Sequence, residues 1–221
     1  MVEWNRKRLL FLVFIYAASL AVYCGAEFLL KENFDDGHAV AVFAGFFLVP
    51  AVALFAAKQK QVFGELKGAY WGLSAYGLFL FWVLAYYFAA PEKFVLLKFA
   101  NLASAEFVLW NIFTAMNVLP VDYFSKRVVQ FEAEALFGAK TAFAAQVAVW
   151  CAGHVPEFLW LTQEVHIMGN FGAGAFILFS GIATGLAYWK TKNVWGMMLG
   201  HWALNMIIAC VVSIFGSILH S

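Results

Sequence analysis

Runs of about twenty apolar residues, the length a helix needs to cross a bilayer, fill most of this chain. They lie at 9–30, 39–57, 68–90, 94–119, 141–161, 172–189 and 194–218. No soluble-looking stretch between them exceeds a short loop. Only 12% of the residues are charged while 64% are hydrophobic. Soluble domains carry about a quarter charged residues, and so few charges cannot cover a water-facing surface. The predicted fold is therefore all-α: a polytopic membrane helix bundle of about seven transmembrane helices, forming a single membrane domain over residues 1–221. The first run, preceded by Arg6, Lys7 and Arg8, is too long for the apolar region of a secretory signal and reads as an uncleaved helix.

Segment 121–140 separates the fourth and fifth runs and carries Asp122, Lys126, Arg127, Glu132 and Glu134. It is too polar to cross lipid unshielded, so it is either an interfacial helix or part of a polar cavity. If it crossed as an eighth span, everything downstream would invert. With seven spans and the N-terminus inside, eleven of the fourteen Lys and Arg residues fall on the inner side, as the positive-inside rule requires. The expected location is an integral membrane position with a cytoplasmic N-terminus, in the plasma membrane if the source is prokaryotic. A net charge of +1 predicts no nucleic-acid partner. Cys24, Cys151 and Cys210 lie in apolar runs without paired spacing, which predicts neither a disulfide framework nor a zinc site. Gly181 and Gly185, and Gly196 and Gly200, have the spacing that lets helix backbones approach closely.

Ionisable groups at membrane depth are functional candidates by default. Here they are Glu27, Glu106, His154, Glu157 and His201, with Asp122 near an inner edge. Asn205 follows His201 by one turn and shares its helix face. Counting from Leu119 and Lys140 as helix ends, at about 1.5 Å per residue, puts Glu106 and His154 at one level. A carboxylate beside an imidazole can activate water, and a second imidazole with an amide can stabilise an oxyanion. No H-E-x-x-H occurs, and no acid joins His201 at ligand spacing, so no metal and no cofactor is expected. His38, His166 and His220 fall at loop edges or the C-terminus and read as solvated. Glu157, after Pro156, reads as a cap or a snorkelling side chain, and Glu132 and Glu134 as a solvated face.

Residues 181–205, GIATGLAYWKTKNVWGMMLGHWALN, resemble the last motif block of the CAAX prenyl protease and bacteriocin-processing family of intramembrane glutamate-type endopeptidases. That block is a small-residue helix, a basic turn, Trp, then H-x-x-x-N, matched by His201 and Asn205. The family's F-x-x-x-H is met by Trp150 to His154. Its first motif, E-E-x-x-x-R, has two matches. One runs from Glu106 to Asn111, with Phe107 for the second Glu and Asn111 for Arg. The other runs from Asp122 to Arg127, keeping Arg and replacing both acids. The resemblance divides the chain into N-terminal helices, 1–93, and a family-like core, 94–218. It implies a metal-independent endopeptidase in which Glu106 with His154 activates water, while His201 and Asn205 hold the scissile carbonyl oxygen. Asn111 is a supporting residue, and Asp122, with Arg127, is the alternative acid. The implied partner is a membrane-embedded or lipidated peptide or protein substrate in the lipid bilayer. Two other readings remain open: a catalytically inactive relative that binds a peptide, lipid or partner protein, and a small transporter.

Overall fold

The computed structural model describes residues 2–30, 37–59, 63, 66–90, 94, 99–154 and 169–218. Its described elements are all helical and form seven continuous rods. The first is α1 (Val2–Leu30). The second joins α2 (Gly37–Phe43) through a π turn (Ala44–Leu48) to α3 (Val49–Ala56). The third is α4 (Ala69–Ala89). The fourth joins α5 (Ala105–Asp122) through a π segment (Tyr123–Gln130) to α6 (Phe131–Phe137). The last three are α7 (Ala139–Gly153), α8 (Gly169–Thr191) and α9 (Trp195–Ile218). Among the described residues, five helices are long and apolar enough to cross a membrane: Arg6–Leu30, Gly37–Ala56, Ala69–Ala89, Ala105–Phe137 and Trp195–Phe215. Their outer faces carry large bare side chains, including Phe28, Phe55 and Phe81, each more than three-quarters exposed. That surface suits lipid and no other solvent. The chain is an integral membrane protein.

Both π interruptions have local causes. Pro50 cannot donate to the carbonyl four residues back, and that carbonyl belongs to Phe46 inside the π turn. The wider turn absorbs the clash. In the fourth rod, Ser125 Oγ donates back to the Val121 carbonyl at 2.7 Å, a local bond that competes with the helical ladder. Segment 121–140 is therefore neither a surface helix nor a separate span. It extends the fourth rod, with Asp122 to Gln130 buried.

Short devices set the turns. Ser104 caps α5 by accepting from the Phe107 N–H at 3.2 Å. Gly138, at φ 82° and ψ 164°, ends the fourth rod in a conformation open to little but glycine. The chain then doubles back as α7. Asn193 caps α9 by accepting from the Gly196 N–H at 2.7 Å.

Helices α4 and α9 run parallel and in close contact. A Cβ on Gly196 would strike the Ala69 carbonyl, and one on Gly72 would strike the Gly196–Met197 backbone. Gly181 and Gly185 do the same for α8 on α7, where a Cβ would meet Trp150 and Gln146. The basic residues gather at one end. Arg8 reaches Glu132 at 2.8 Å, Arg127 reaches Glu132 at 3.2 Å, and Lys192 pairs with Glu134. Glu132 is fully buried, so it is an internal anchor and not the solvated-face residue its composition suggests. Glu134 is an ion-pair partner as well.

Candidate active site

The site is built on the hairpin that pivots at Gly138. Asp122 lies sixteen residues before the pivot and His154 sixteen after it; Lys126 and Trp150 lie twelve to either side, and Gln130 and Gln146 eight. A four-residue step keeps a side chain on one helix face. The buried face of α7 is Ala142, Gln146 and Trp150. Two polar ladders thus confront each other. The contacts agree with this register: Lys126 Nζ sits 3.8 Å from the centre of the Trp150 ring, and both glutamines approach Gly185.

Asp122 is the hub. Its carboxylate accepts from the Tyr76 hydroxyl at 2.9 Å to each oxygen, from Lys126 Nζ at 2.7 Å, and is 2.9 Å from His201 Nδ1. Asp122 and Lys126 are both fully buried. Desolvating two charges is costly, and only close pairing with further hydrogen bonds offsets it; Tyr76 and His201 supply those bonds. Tyr76 also stacks on His201, with ring centres 4.9 Å apart and planes 12° apart. Gly200 makes room for that ring, since a Cβ there would lie 2.8 Å from it. Trp150 lies 5.1 Å from the His154 ring and 5.7 Å from the His201 ring. Its indole N–H is fixed by the Ile177 carbonyl at 3.1 Å and Ser180 Oγ at 3.2 Å.

A cavity of about 250 Å³ opens beside this cluster, between α1, the second rod, the π segment and α7. Leu20, Val42, Phe46 and Phe124 give it an apolar wall, and Ser125 and His154 a polar one. The outer pair Glu27–His38, 3.1 Å apart, stands near its rim, where His38 joins the lining.

His154 and His201 thus converge on Trp150. Asn205 lies one turn beyond His201, half-buried, with its amide donating to the His201 carbonyl at 3.1 Å. Glu106 is placed elsewhere. It is exposed in the first turn of α5, sixteen residues or about 24 Å of helix before Asp122. The depth count that levels it with His154 takes Leu119 as a helix end, whereas the rod continues to Phe137. Asn111, on the same arm, bonds the Phe107 carbonyl at 3.4 Å, and Arg127 turns to Glu132 and the Phe131 ring, 4.3 Å away. Glu157, His166 and His220 lie outside the described residues. Among the described residues, no three His, Cys, Asp or Glu side chains converge in a group able to hold a metal.

Tyr76, Lys126 and Trp150 belong to the cluster by geometry. Trp150 appears in the sequence only as a variant motif aromatic. The i,i+4 spacing of Lys126 from Asp122 leaves two readings for the acid, an N-cap of the polar segment or a pair with Lys126; the pair is present at 2.7 Å and the side-chain cap is not. Tyr76 carries no signal in the sequence.

Residues 122–207 match the family described as Type II CAAX prenyl endopeptidase Rce1-like. That span is similar to the Rce1-like CAAX prenyl endopeptidase family over 86 of the 221 residues. The matched span begins on Asp122, ends two residues past Asn205, and includes His154 and His201. Glu106 and Tyr76 fall outside it. No curated protein and no solved structure matches the chain.

Proposed function

We propose that the protein is an intramembrane endopeptidase whose acid is Asp122. The observation that carries this reading is the Asp122–His201 contact at 2.9 Å, with the His154 ring 5.1 Å from Trp150, which also borders His201. Asp122 and His154 remove a proton from a water as its oxygen bonds to the scissile carbonyl carbon. His201, held by Asp122 through Nδ1, receives the developing oxyanion together with Asn205. The C–N bond then breaks, and the proton passes to the leaving amine. Residues 1–221 act as one membrane domain with the N-terminus inside. The substrate is a membrane-embedded or lipidated peptide whose apolar part enters the cavity of about 250 Å³. Purified protein in liposomes should cleave a prenylated peptide. Asp122→Asn, His154→Ala and His201→Ala should each lower kcat about 10²–10⁴-fold, while Glu106→Gln leaves it within a few-fold. Unchanged cleavage in Asp122→Asn and His154→Ala would sink the mechanism.

One observation favours a second reading, a non-catalytic relative that binds a peptide, lipid or partner protein in the same cavity. Lys126, Tyr76 and His201 together occupy the Asp122 carboxylate, so it must release a partner before it can hold a water. Retention of a lipidated peptide without any cleavage, lost when the cavity is filled by Val42→Trp, would support that reading over the first.

A further inference from the structure

Below the Lys126–Trp150 rung sits the pair Gln130 and Gln146. Gln130 is 1% exposed and Gln146 fully buried. Gln130 Nε2 donates to the Gly185 carbonyl at 3.0 Å. Its Oε1, and both the Oε1 and Nε2 of Gln146, have no hydrogen-bonding partner in the protein. One turn past Gly185, the buried hydroxyl of Tyr188 is likewise without a partner. Buried amides are almost always hydrogen-bonded, and an unpaired one in a bilayer-embedded bundle lacks even bulk water as a substitute. Both glutamines reach Gly185, one through Nε2 and the other through Oε1, and their three unpaired amide atoms call for a ligand that both donates and accepts.

We propose that Gln130 and Gln146 form a buried hydration site that holds water inside the bundle. The ligand must be small. Lys126 and Trp150, 0% and 2% exposed, close the rung between these amides and His154. The cavity beside His154 is lined on α7 by Val149, Ala152, Gly153 and His154, not by Gln146. A peptide or lipid entering there stops short of the glutamines. Water needs two to four polar partners, and Gln130 Oε1 with the two ends of the Gln146 amide provides three. Lys126 lies one turn above Gln130 and bonds both Asp122 and Ser125 Oγ. The ladder thus continues in polar groups from the hydration site to the acid. Resting on the endopeptidase reading, the same water stands in line to replace the one each hydrolysis consumes.

The test is radiolytic hydroxyl labelling of the full-length protein in nanodiscs, in ¹⁸O-water. Bound water gives radicals that mark adjacent side chains even when these are sealed from bulk solvent. Tyr188, 0% exposed, should take up ¹⁸O several-fold faster than Phe79, 6% exposed. That excess should vanish in Gln130→Leu/Gln146→Leu. Equal labelling of Tyr188 and Phe79 in the wild type overturns the site without reference to any variant. Melting gives a second readout. Leucine in place of a hydrated amide lowers Tm, whereas leucine in place of a dry, unpaired amide raises it, and a rise rejects the proposal. Neither readout requires a substrate, so both stand apart from the protease reading. If hydration is found and Gln146→Leu leaves kcat unchanged, the supply role falls. If no variant or wild-type protein cleaves, it is the endopeptidase reading that fails.

Discussion

Asp122 and Lys126 form a buried ion pair whose worth depends on company. Each is fully buried and they meet at 2.7 Å. Removing either partner alone strands a charge, at a cost of about 3–5 kcal/mol. Asp122→Asn and Lys126→Met should each lower stability by about that amount in detergent unfolding, and the double variant should lose clearly less than the sum. Additive losses would mean that the two charges act independently. Tyr123, next to Asp122, is fully buried and packs against Phe47 with ring centres 5.0 Å apart.

At the scale of elements, one long helix and one glycine set the register of the site. The fourth rod reaches Gly138, and only from there does the chain return as α7. Glycine supplies the φ of 82° that the reversal needs. Gly138→Ala should destabilise by about 1–3 kcal/mol, read as a fall in Tm. Gly77, in the middle of α4 with nothing within 4 Å of an added Cβ, provides the contrast. There Gly77→Ala should stabilise by up to about 1 kcal/mol. Equal effects at the two positions would remove the special role of the turn. The π segment adds to the same end: by widening the helix just after Asp122, it re-aims the face that carries Lys126 and Gln130. Such interruptions cluster at functional sites.

Across the whole molecule, charge is sorted by end. Arg8, Arg127 and Lys192 gather with Glu132 and Glu134 at one end, and Asn193 ties Lys67 to the same end through a bond to its carbonyl at 3.4 Å. Ser213, near the other end of α9, accepts from the Phe99 N–H at 2.9 Å. Three rods separate Asn101 from Lys190, so on the seven-span reading the two belong to opposite sides of the membrane. Single cysteines at these positions, in a background without Cys24, Cys151 and Cys210, should be labelled from opposite faces of oriented vesicles, with Lys190→Cys inside. Labelling from one face would overturn the seven-rod topology.

Apolar run length and scarcity of charge were enough to determine a helical membrane protein, because both follow from the solvent and not from packing. His154, His201 and Asn205 were legible as candidates because a polar side chain in an apolar run is costly wherever it ends up. The close-packing glycines at 181, 185, 196 and 200 were legible as spacing, though not as partners of Trp150 or Tyr76. The burial of Asp122 was not readable. Segment 121–140 looks like a loop by composition, and nothing local distinguishes a polar stretch bound for water from one whose charges find partners inside a bundle. Only the tertiary structure brings Tyr76 from α4, His201 from α9 and Lys126 from the same rod to Asp122, and only there do those charges cost less to bury than to leave in lipid unpaired.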